Sequence, residues 1–260
     1  MNGYMTPQNK YVLDLQLPCY HTDSRKHLRP HSFMDLAQEM AYLAADAMHF
    51  GYGELIKEGK AWVLSRFRFT VDSTPLWSEK LQMATWHKGP SGPFYLRDFT
   101  LGTPAGEVKV RATSSWVILD IQSRRMVRSA QSIQMVPETT TCYESAIEEP
   151  APRLVVPKGM SPISVISRQV QYSDIDLLGH MNNARYVMWA MDALPREYTM
   201  GRDPVDVCVN FNHETKVGES LEMEVYRMDC EEGRGTLFTV EGRNSEGKAA
   251  VVVRVIFPGE

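Results

Sequence analysis

Two stretches of the chain show the same order of hydrophobic patterns. In the first, residues 11–17 alternate apolar and polar side chains with a period of two, which predicts a half-buried strand. Small and apolar residues then recur at helical spacing as far as Gly51, and Ser32 and Asp35 are spaced like a capping box at the predicted helix start. Four further strands, separated by turn signals, are predicted at 61–72, 80–87, 94–101 and 107–119.

The second half of the chain repeats this order. Its predicted elements are a strand at 165–172, a helix at 183–194, and strands at 205–213, 220–229, 235–242 and 248–257. Short sequences echo as well, because SEKLQM at 78–83 and GESLEM at 218–223 both precede a middle strand. A repeat on the order of 100 residues or more indicates duplication of a whole domain. Since a sheet offers an apolar face on which a helix can be buried, we predict an α+β fold with one helix wrapped by an antiparallel sheet in each half.

A segment rich in proline and acidic residues separates the two halves. Residues 137–162 contain five of the 15 prolines, together with Glu144, Glu148 and Glu149. Such a composition favours an extended connection over a packed element. The sequence therefore predicts an N-terminal domain at 1–136, a linker at 137–162 and a C-terminal domain at 163–260.

Composition and charge exclude several classes of protein. A chain of 260 residues that is 43% hydrophobic can bury a substantial core. Its net charge of −4 argues against a nucleic-acid partner, which would require a surplus of Lys and Arg facing the phosphates. No window approaches the roughly 18 apolar residues of a membrane span, and residues 1–10 are polar. We expect a cytoplasmic protein without a membrane span.

The cysteine pattern indicates neither a disulfide framework nor a metal site. The four cysteines are scattered without C-x-x-C spacing, at Cys19, Cys142, Cys208 and Cys230. Reduced thiols are the expectation, and nothing in the sequence calls for a metal or another cofactor.

The two halves differ where the opening strand passes into the helix. Residues 21–30 read HTDSRKHLRP, whereas residues 173–183 read SDIDLLGHMNN. The second segment combines Asp176 and His180 with a pair of amides, Asn182 and Asn183. Clustered titratable and amide groups ahead of an apolar helix are typical of a functional site. Asparagines also cap helices well, and this structural role is compatible with a role in the site.

The segment around His180 resembles that of the acyl-(acyl carrier protein) thioesterases. Members of that family carry a D-x-N-x-H-V-N-N segment followed by Tyr and Trp in the second of two hotdog domains, and Tyr186 and Trp189 fit this continuation. The resemblance covers nearly the whole chain, through WVLSR at 62–66, PLW at 75–77, RD at 97–98 and RATSSWV at 111–117. It implies two tandem hotdog domains, of which the first shapes an acyl pocket and the second carries the catalytic residues.

The resemblance also implies roles for individual residues. The family's catalytic residues correspond to Asp176, His180 and Glu214, and its substrate-contacting positions to Gly179, Asn182 and Asn183. Leu178 departs from the pattern, because the family usually has an asparagine there. A cysteine nucleophile is disfavoured, since Thr215 follows Glu214 where a cysteine has been proposed in the family, and Cys208 would be roughly 20 Å from Glu214 along a strand.

The reaction implied is hydrolysis of acyl thioesters on acyl carrier protein in fatty acid biosynthesis. Two mechanisms are compatible with these residues. In the first, Glu214 or Asp176 takes a proton from the attacking water, and His180 orients that water or protonates the departing sulfur. In the second, Asp176 attacks the thioester directly and forms an anhydride. Two other functions stay open, an acyl-CoA thioesterase of the same fold and an acyl-binding sensor without catalysis. The expected partner is acyl carrier protein, and the chain could be a monomer or a dimer of double-hotdog chains.

Overall fold

The computed structural model describes residues 3–127, 135–229 and 235–259. These residues divide into two units, Met1–Ala151 and Pro152–Glu260, which we describe separately. The division falls within the segment that the sequence predicts as a linker. Among the described residues, Cys19, Cys142 and Cys208 are not joined in disulfides, and Cys230 lies outside the described residues. None of the described helices is long and apolar enough to cross a membrane.

In the part of the first unit that the structure describes, there is one antiparallel sheet and two α-helices. The sheet has the strand order β1-β2-β4-β5-β6-β3, with β7 paired to β6. Its strands are β1 (Tyr4–Met5), β2 (Tyr11–Gln16), β3 (Lys60–Val71), β4 (Lys80–Ser91), β5 (Phe94–Gly102), β6 (Val108–Asp120) and β7 (Arg125–Met126). The helices are α1 (Pro30–Ala47) and α2 (Tyr52–Lys57).

Helix α1 is the central element of the first core. Its buried side chains are small or apolar over much of its circumference, as the sequence pattern predicts. The predicted start at Ser32 is wrong, because the helix begins two residues earlier at Pro30, and Ser32 is buried in its first turn. Proline suits the first helical position, where its missing N–H costs no hydrogen bond. Phe33 of α1 packs against Phe67 of β3, and so joins the helix to one face of the sheet.

Residues 138–147, which we call the strap, are hydrogen-bonded to the first unit, and Glu144 and Ala146 lie on the face of the sheet opposite α1. Asp98 faces away from α1, since its neighbour Phe99 packs on Phe67 and successive strand residues point to opposite faces. The carboxylate of Asp98 accepts a hydrogen bond from the N–H of Ala146 at 2.8 Å. The indole N–H of Trp86 donates to the carbonyl of Glu144 at 2.8 Å. Part of the predicted linker is therefore held against the first unit by hydrogen bonds.

The second unit repeats the arrangement with five antiparallel strands in the order β9-β12-β11-β10-β8. The strands are β8 (Ser164–Gln169), β9 (Asp206–Phe211), β10 (Ser220–Asp229), β11 (Thr236–Arg243) and β12 (Ala249–Phe257), and the helices are α3 (Asn183–Ala193) and α4 (Arg196–Thr199). Trp189 and other apolar side chains of α3 are buried. Each unit thus has one long helix and an antiparallel sheet, which confirms the predicted α+β fold.

The predicted strand at 205–213 is shorter in the structure. Strand β9 ends at Phe211, so Glu214 lies in the turn that follows the strand. Cys208 is fully buried within β9.

Candidate functional site

The candidate site is built on a tight loop between β8 and α3. The N–H of Asp176 donates to the carbonyl of His180 at 2.9 Å, and the N–H of Gly179 donates back to the carbonyl of Asp176 at 3.0 Å. The side chain of Asp176 takes part in the same turn, because its Oδ1 accepts the N–H of Leu178 at 2.8 Å. This is the turn geometry that an aspartate forms readily with the backbone two residues ahead. The loop fixes the position of His180 relative to the start of the helix.

The imidazole of His180 contacts the carboxylate of Glu214. Nε2 of His180 lies 3.2 Å from Oε2 of Glu214, with side-chain exposures of 25% and 31%. The backbone holds the two residues together, since the N–H of Met181 donates to the carbonyl of Thr215 at 2.8 Å. A histidine and a carboxylate in direct contact and partly accessible to solvent can exchange protons with a bound substrate or water. The structure therefore brings together two of the three predicted catalytic residues.

Asp176 belongs to the same loop, but its described contact is with the backbone of Leu178. One carboxylate oxygen therefore shapes the turn. Leu178, which stands where the family has asparagine, is 47% exposed, and its N–H is occupied by that turn.

The two predicted amides lie at the start of α3. Asn182 is the N-cap, and its Oδ1 accepts the N–H of Ala184 at 2.8 Å, while Asn183 is the first helical residue. The N–H of Arg185 is also used, since it donates to the carbonyl of Asn182 at 2.9 Å. Asn182 is therefore a helix cap, as its residue type predicts. A role of Asn182 and Asn183 in binding substrate stays a prediction.

The backbone conformation at Gly179 favours glycine, whereas the space around it would admit a side chain. Its φ is +79°, in the left-handed region that glycine adopts without strain. A Cβ built at this position would meet no atom within 4 Å. Its predicted contact with substrate stays a prediction.

The first unit contains the same loop with different chemistry. Asp23 occupies the position of Asp176, because its N–H donates to the carbonyl of His27 at 2.8 Å and its Oδ1 accepts the N–H of Arg25 at 2.9 Å. Lys26 takes the position of Gly179 and has a φ of +69°. The sequence comparison missed this equivalence, although both segments share the spacing D-x-x-x-H.

The residue of the first unit that corresponds to Glu214 is not a carboxylate. The N–H of Leu28 donates to the carbonyl of Pro75 at 2.9 Å, as that of Met181 does to Thr215. Thr74 therefore stands where the second unit has Glu214. The amides of Asn182 and Asn183 are likewise replaced, by Arg29 and Pro30.

A second group of polar residues, buried in the first unit, was not predicted. His87 and Arg97 are cross-strand neighbours on β4 and β5, and they are only 4% and 5% exposed. Arg97 donates to Oγ1 of Thr85 at 3.3 Å, and burial lowers the pKa of its guanidinium to about 10. Burial, with a smaller contribution from the charge of Arg97, lowers the pKa of His87 to about 3. The sequence signal that could have indicated this buried polar group is the presence of charged residues inside strands whose pattern is otherwise apolar.

Each unit wraps a helix with an antiparallel sheet, and the second unit has a histidine–carboxylate pair at the start of its helix. This arrangement defines a double-hotdog protein. Comparison with solved structures supports this fold. An acyl-ACP thioesterase from Bacteroides thetaiotaomicron aligns over 96% of this chain and 98% of its own, with a TM-score of 0.82 and 23% identity. The 12:0-ACP thioesterase from Umbellularia californica aligns over 99% and 100%, with a TM-score of 0.87 and 16% identity.

Family profiles identify the chain more closely. The acyl-ACP thioesterase N-terminal domain matches residues 8–135, and the acyl-ACP thioesterase C-terminal domain matches residues 163–258. The chain belongs to the acyl-ACP thioesterase family. A palmitoyl-acyl carrier protein thioesterase from Gossypium hirsutum is 27% identical over 159 residues, which cover 56% of this chain and 37% of the relative. An oleoyl-acyl carrier protein thioesterase from Coriandrum sativum is 23% identical, and the match covers 75% of this chain and 57% of the relative.

Proposed function

We propose that the chain hydrolyses acyl thioesters carried on acyl carrier protein and releases free fatty acids for lipid metabolism. The observation that carries this proposal is the contact of 3.2 Å between His180 and Glu214 in a loop ahead of α3. Family membership supports the substrate class. Because the curated relatives cited above are covered over 37% and 57% of their lengths, their activity enters as a proposal and not as a finding.

In the proposed mechanism, Glu214 is the general base. Its carboxylate takes a proton from water as the water oxygen attacks the thioester carbonyl carbon, so that the C–O bond forms and the carbonyl electrons move to oxygen. The positive end of the α3 dipole favours this developing negative charge. When the tetrahedral intermediate collapses, the C–S bond breaks, and the proton passes through His180 to the departing thiolate. Water and thioester thereby give one fatty acid and one thiol.

The turn geometry favours a positioning role for Asp176 over direct attack on the thioester. Its Oδ1 accepts the Leu178 N–H, and the equivalent oxygen of Asp23 accepts the Arg25 N–H in the unit that lacks the glutamate. The same carboxylate geometry therefore occurs in a loop without the rest of the site. Asparagine can keep this hydrogen bond, so Asp176→Asn should retain most of the activity, whereas direct attack through an anhydride requires the carboxylate.

The experiment is to measure release of fatty acid from a panel of acyl chains, each presented on acyl carrier protein and on coenzyme A. We expect rapid release from the carrier-protein series and a loss of roughly 10²–10⁴-fold in kcat for His180→Ala and for Glu214→Gln, as is typical when a general acid or base is removed. Glu222→Gln, which neutralises an exposed carboxylate on β10, is the matched control and should keep wild-type rates.

Three other results would change the proposed function or its mechanism. Wild-type turnover by Glu214→Gln would remove Glu214 from the mechanism. Faster release from coenzyme A than from carrier protein would favour the acyl-CoA thioesterase. Acyl binding without release from either carrier would contradict the enzyme and favour the sensor.

We propose a cytoplasmic enzyme whose partner is acyl carrier protein; the description "chloroplastic" belongs to the plant relatives. Sedimentation of the purified chain would distinguish a monomer from a dimer of double-hotdog chains.

A further inference from the structure

A buried hydroxyl pair lies directly behind the His180–Glu214 contact. The hydroxyl of Tyr186, in the first turns of α3, donates to Oγ1 of Thr215 at 2.9 Å, and both residues are buried. Burial raises the pKa of Tyr186 to about 12, so its hydroxyl stays protonated and remains a donor. Thr215 is the residue after Glu214. The bond therefore joins the helix to the chain segment that carries the proposed base.

The backbone gives this segment a second anchor. The N–H of Met181, the residue after His180, donates to the carbonyl of Thr215 at 2.8 Å. Thr215 is thus held through its carbonyl by the histidine loop and through its hydroxyl by α3. Two anchors at one residue restrict how the neighbouring Glu214 can move relative to His180.

The first unit shows the same loop without the hydroxyl pair. Counting from the matched aspartates, Phe33 occupies the position of Tyr186, and Pro75 takes that of Thr215. The backbone anchor is kept, since the N–H of Leu28 donates to the carbonyl of Pro75 at 2.9 Å. Folding of this loop therefore does not require the hydroxyls. They occur in the unit that has Glu214 at this position, and are absent from the unit that has Thr74 there.

We propose that Tyr186 and Thr215 are positioning residues that hold the Glu214 carboxylate in register with His180. Neither needs to touch the substrate. This inference rests on the proposed hydrolysis and adds to it the residues that set the geometry of the catalytic pair. A displacement of the base by a fraction of an ångström is enough to reduce the rate without abolishing binding.

The first test is Tyr186→Phe, which removes one oxygen atom and reproduces the residue type found at Phe33. We expect kcat to fall about tenfold with KM little changed, which is the size of effect that loss of one buried hydrogen bond can have. The pH profile of kcat should change as well, because the base and the histidine no longer interact at a fixed distance. Thr215→Val should have a similar effect, and Thr215→Ser should restore most of the rate.

The second unit offers a matched control. The hydroxyl of Tyr198 lies 3.3 Å from Oγ1 of Thr236, a second tyrosine–threonine pair on α4 and β11. Tyr198 is half-buried, and Tyr198→Phe also removes a tyrosine hydroxyl that lies against a threonine, so it should lower the free energy of unfolding. It should leave kcat and the pH profile as they are in the wild type.

A measurement without turnover separates this inference from the proposed function. The imidazole signals of His180, assigned in NMR spectra by comparison with His180→Ala, should change in chemical shift at fixed pH in Tyr186→Phe and stay unchanged in Tyr198→Phe. If the wild type hydrolyses no thioester, the proposed function fails, but these spectra still test the positioning. Wild-type kinetics with unchanged His180 signals in Tyr186→Phe would overturn the inference. An equal loss of kcat in Tyr198→Phe would also overturn it, because the effect would then reflect general destabilisation.

Discussion

His87 should make the first unit sensitive to acid. Nδ1 of this buried imidazole accepts the N–H of Gly89 at 3.1 Å, and Nε2 lies 3.2 Å and 3.1 Å from the hydroxyl oxygens of Thr140 and Thr141. A proton on Nδ1 would face the Gly89 N–H, so the neutral imidazole with its hydrogen on Nε2 fits this site. Burial, and then the charge of Arg97, lower the pKa of His87 to about 3 in agreement with this arrangement.

The size of the effect follows from linkage. In the unfolded chain a histidine titrates near pH 6.5, so between about pH 6.5 and 3 the unfolded state binds a proton that the native state does not. The free energy of unfolding therefore rises with pH across this window and falls on acidification. At pH 5 the difference of about 1.5 pH units below the unfolded value corresponds to a loss of about 2 kcal/mol relative to neutral pH.

The assay is urea unfolding of the full chain at a series of pH values between 7.5 and 5, followed by tryptophan fluorescence. Four of the five tryptophans lie in the first unit, so this signal reports mainly on the surroundings of His87. His87→Gln cannot take up the proton, and its free energy of unfolding should lose about 2 kcal/mol less than that of the wild type on acidification. His49→Gln, at an exposed histidine of the same unit, should keep the wild-type slope. Equal slopes for wild type and His87→Gln would refute the reasoning, whatever the stability of the variant at neutral pH.

Two further predictions use single side chains. Lys26→Gly should raise the free energy of unfolding by about 1 kcal/mol and Gly179→Ala should lower it by a similar amount, because both positions have φ in the left-handed region. Thermal unfolding of the two variants measures both changes. A loss of stability in Lys26→Gly would contradict this prediction. Asp98→Ala should speed cleavage of the strap by a glutamate-specific protease, since the Ala146 N–H loses its acceptor. Asp72→Ala, at an exposed ion pair with Arg111, is the control, and equal cleavage of both variants would count against the anchoring role of Asp98.

The sequence was sufficient to predict the long helix and the longer strands of each unit, because their patterns are local, but it did not predict the short elements β1, α2, β7 and α4. The period of two in a strand and the period of 3.6 in a helix depend on which face of the element is buried. In both units a helix, α1 or α3, is buried against a sheet, so both periods are present in the sequence. The start of α1 was misplaced for an equally local reason. Ser32 and Asp35 have the spacing of a capping box, but Pro30 was already in a position to begin the helix.

The candidate site was predictable in part. His180 and Asp176 are close in sequence, so their loop could be recognised from spacing alone. Glu214 came from the family resemblance, because its contact with His180 depends on how the turn after β9 packs against the start of α3. The hydroxyl pair of Tyr186 and Thr215 could not be predicted, since a tyrosine and a threonine 29 residues apart carry no pattern that indicates their contact.

Both units contain the loop with the D-x-x-x-H spacing, so this spacing by itself does not identify the unit that carries the candidate site. Asp23 and His27 reproduce the spacing and the turn of Asp176 and His180 in a unit that has Thr74 at the position of Glu214. An aspartate and a histidine four residues apart are therefore a property of the loop that leads into each helix. The groups that distinguish the second unit lie outside that spacing, at Glu214 and at the residues that hold it. For a chain of this fold, we therefore expect a carboxylate at the position of Glu214 to be a better sequence indicator of hydrolysis than the D-x-x-x-H spacing alone.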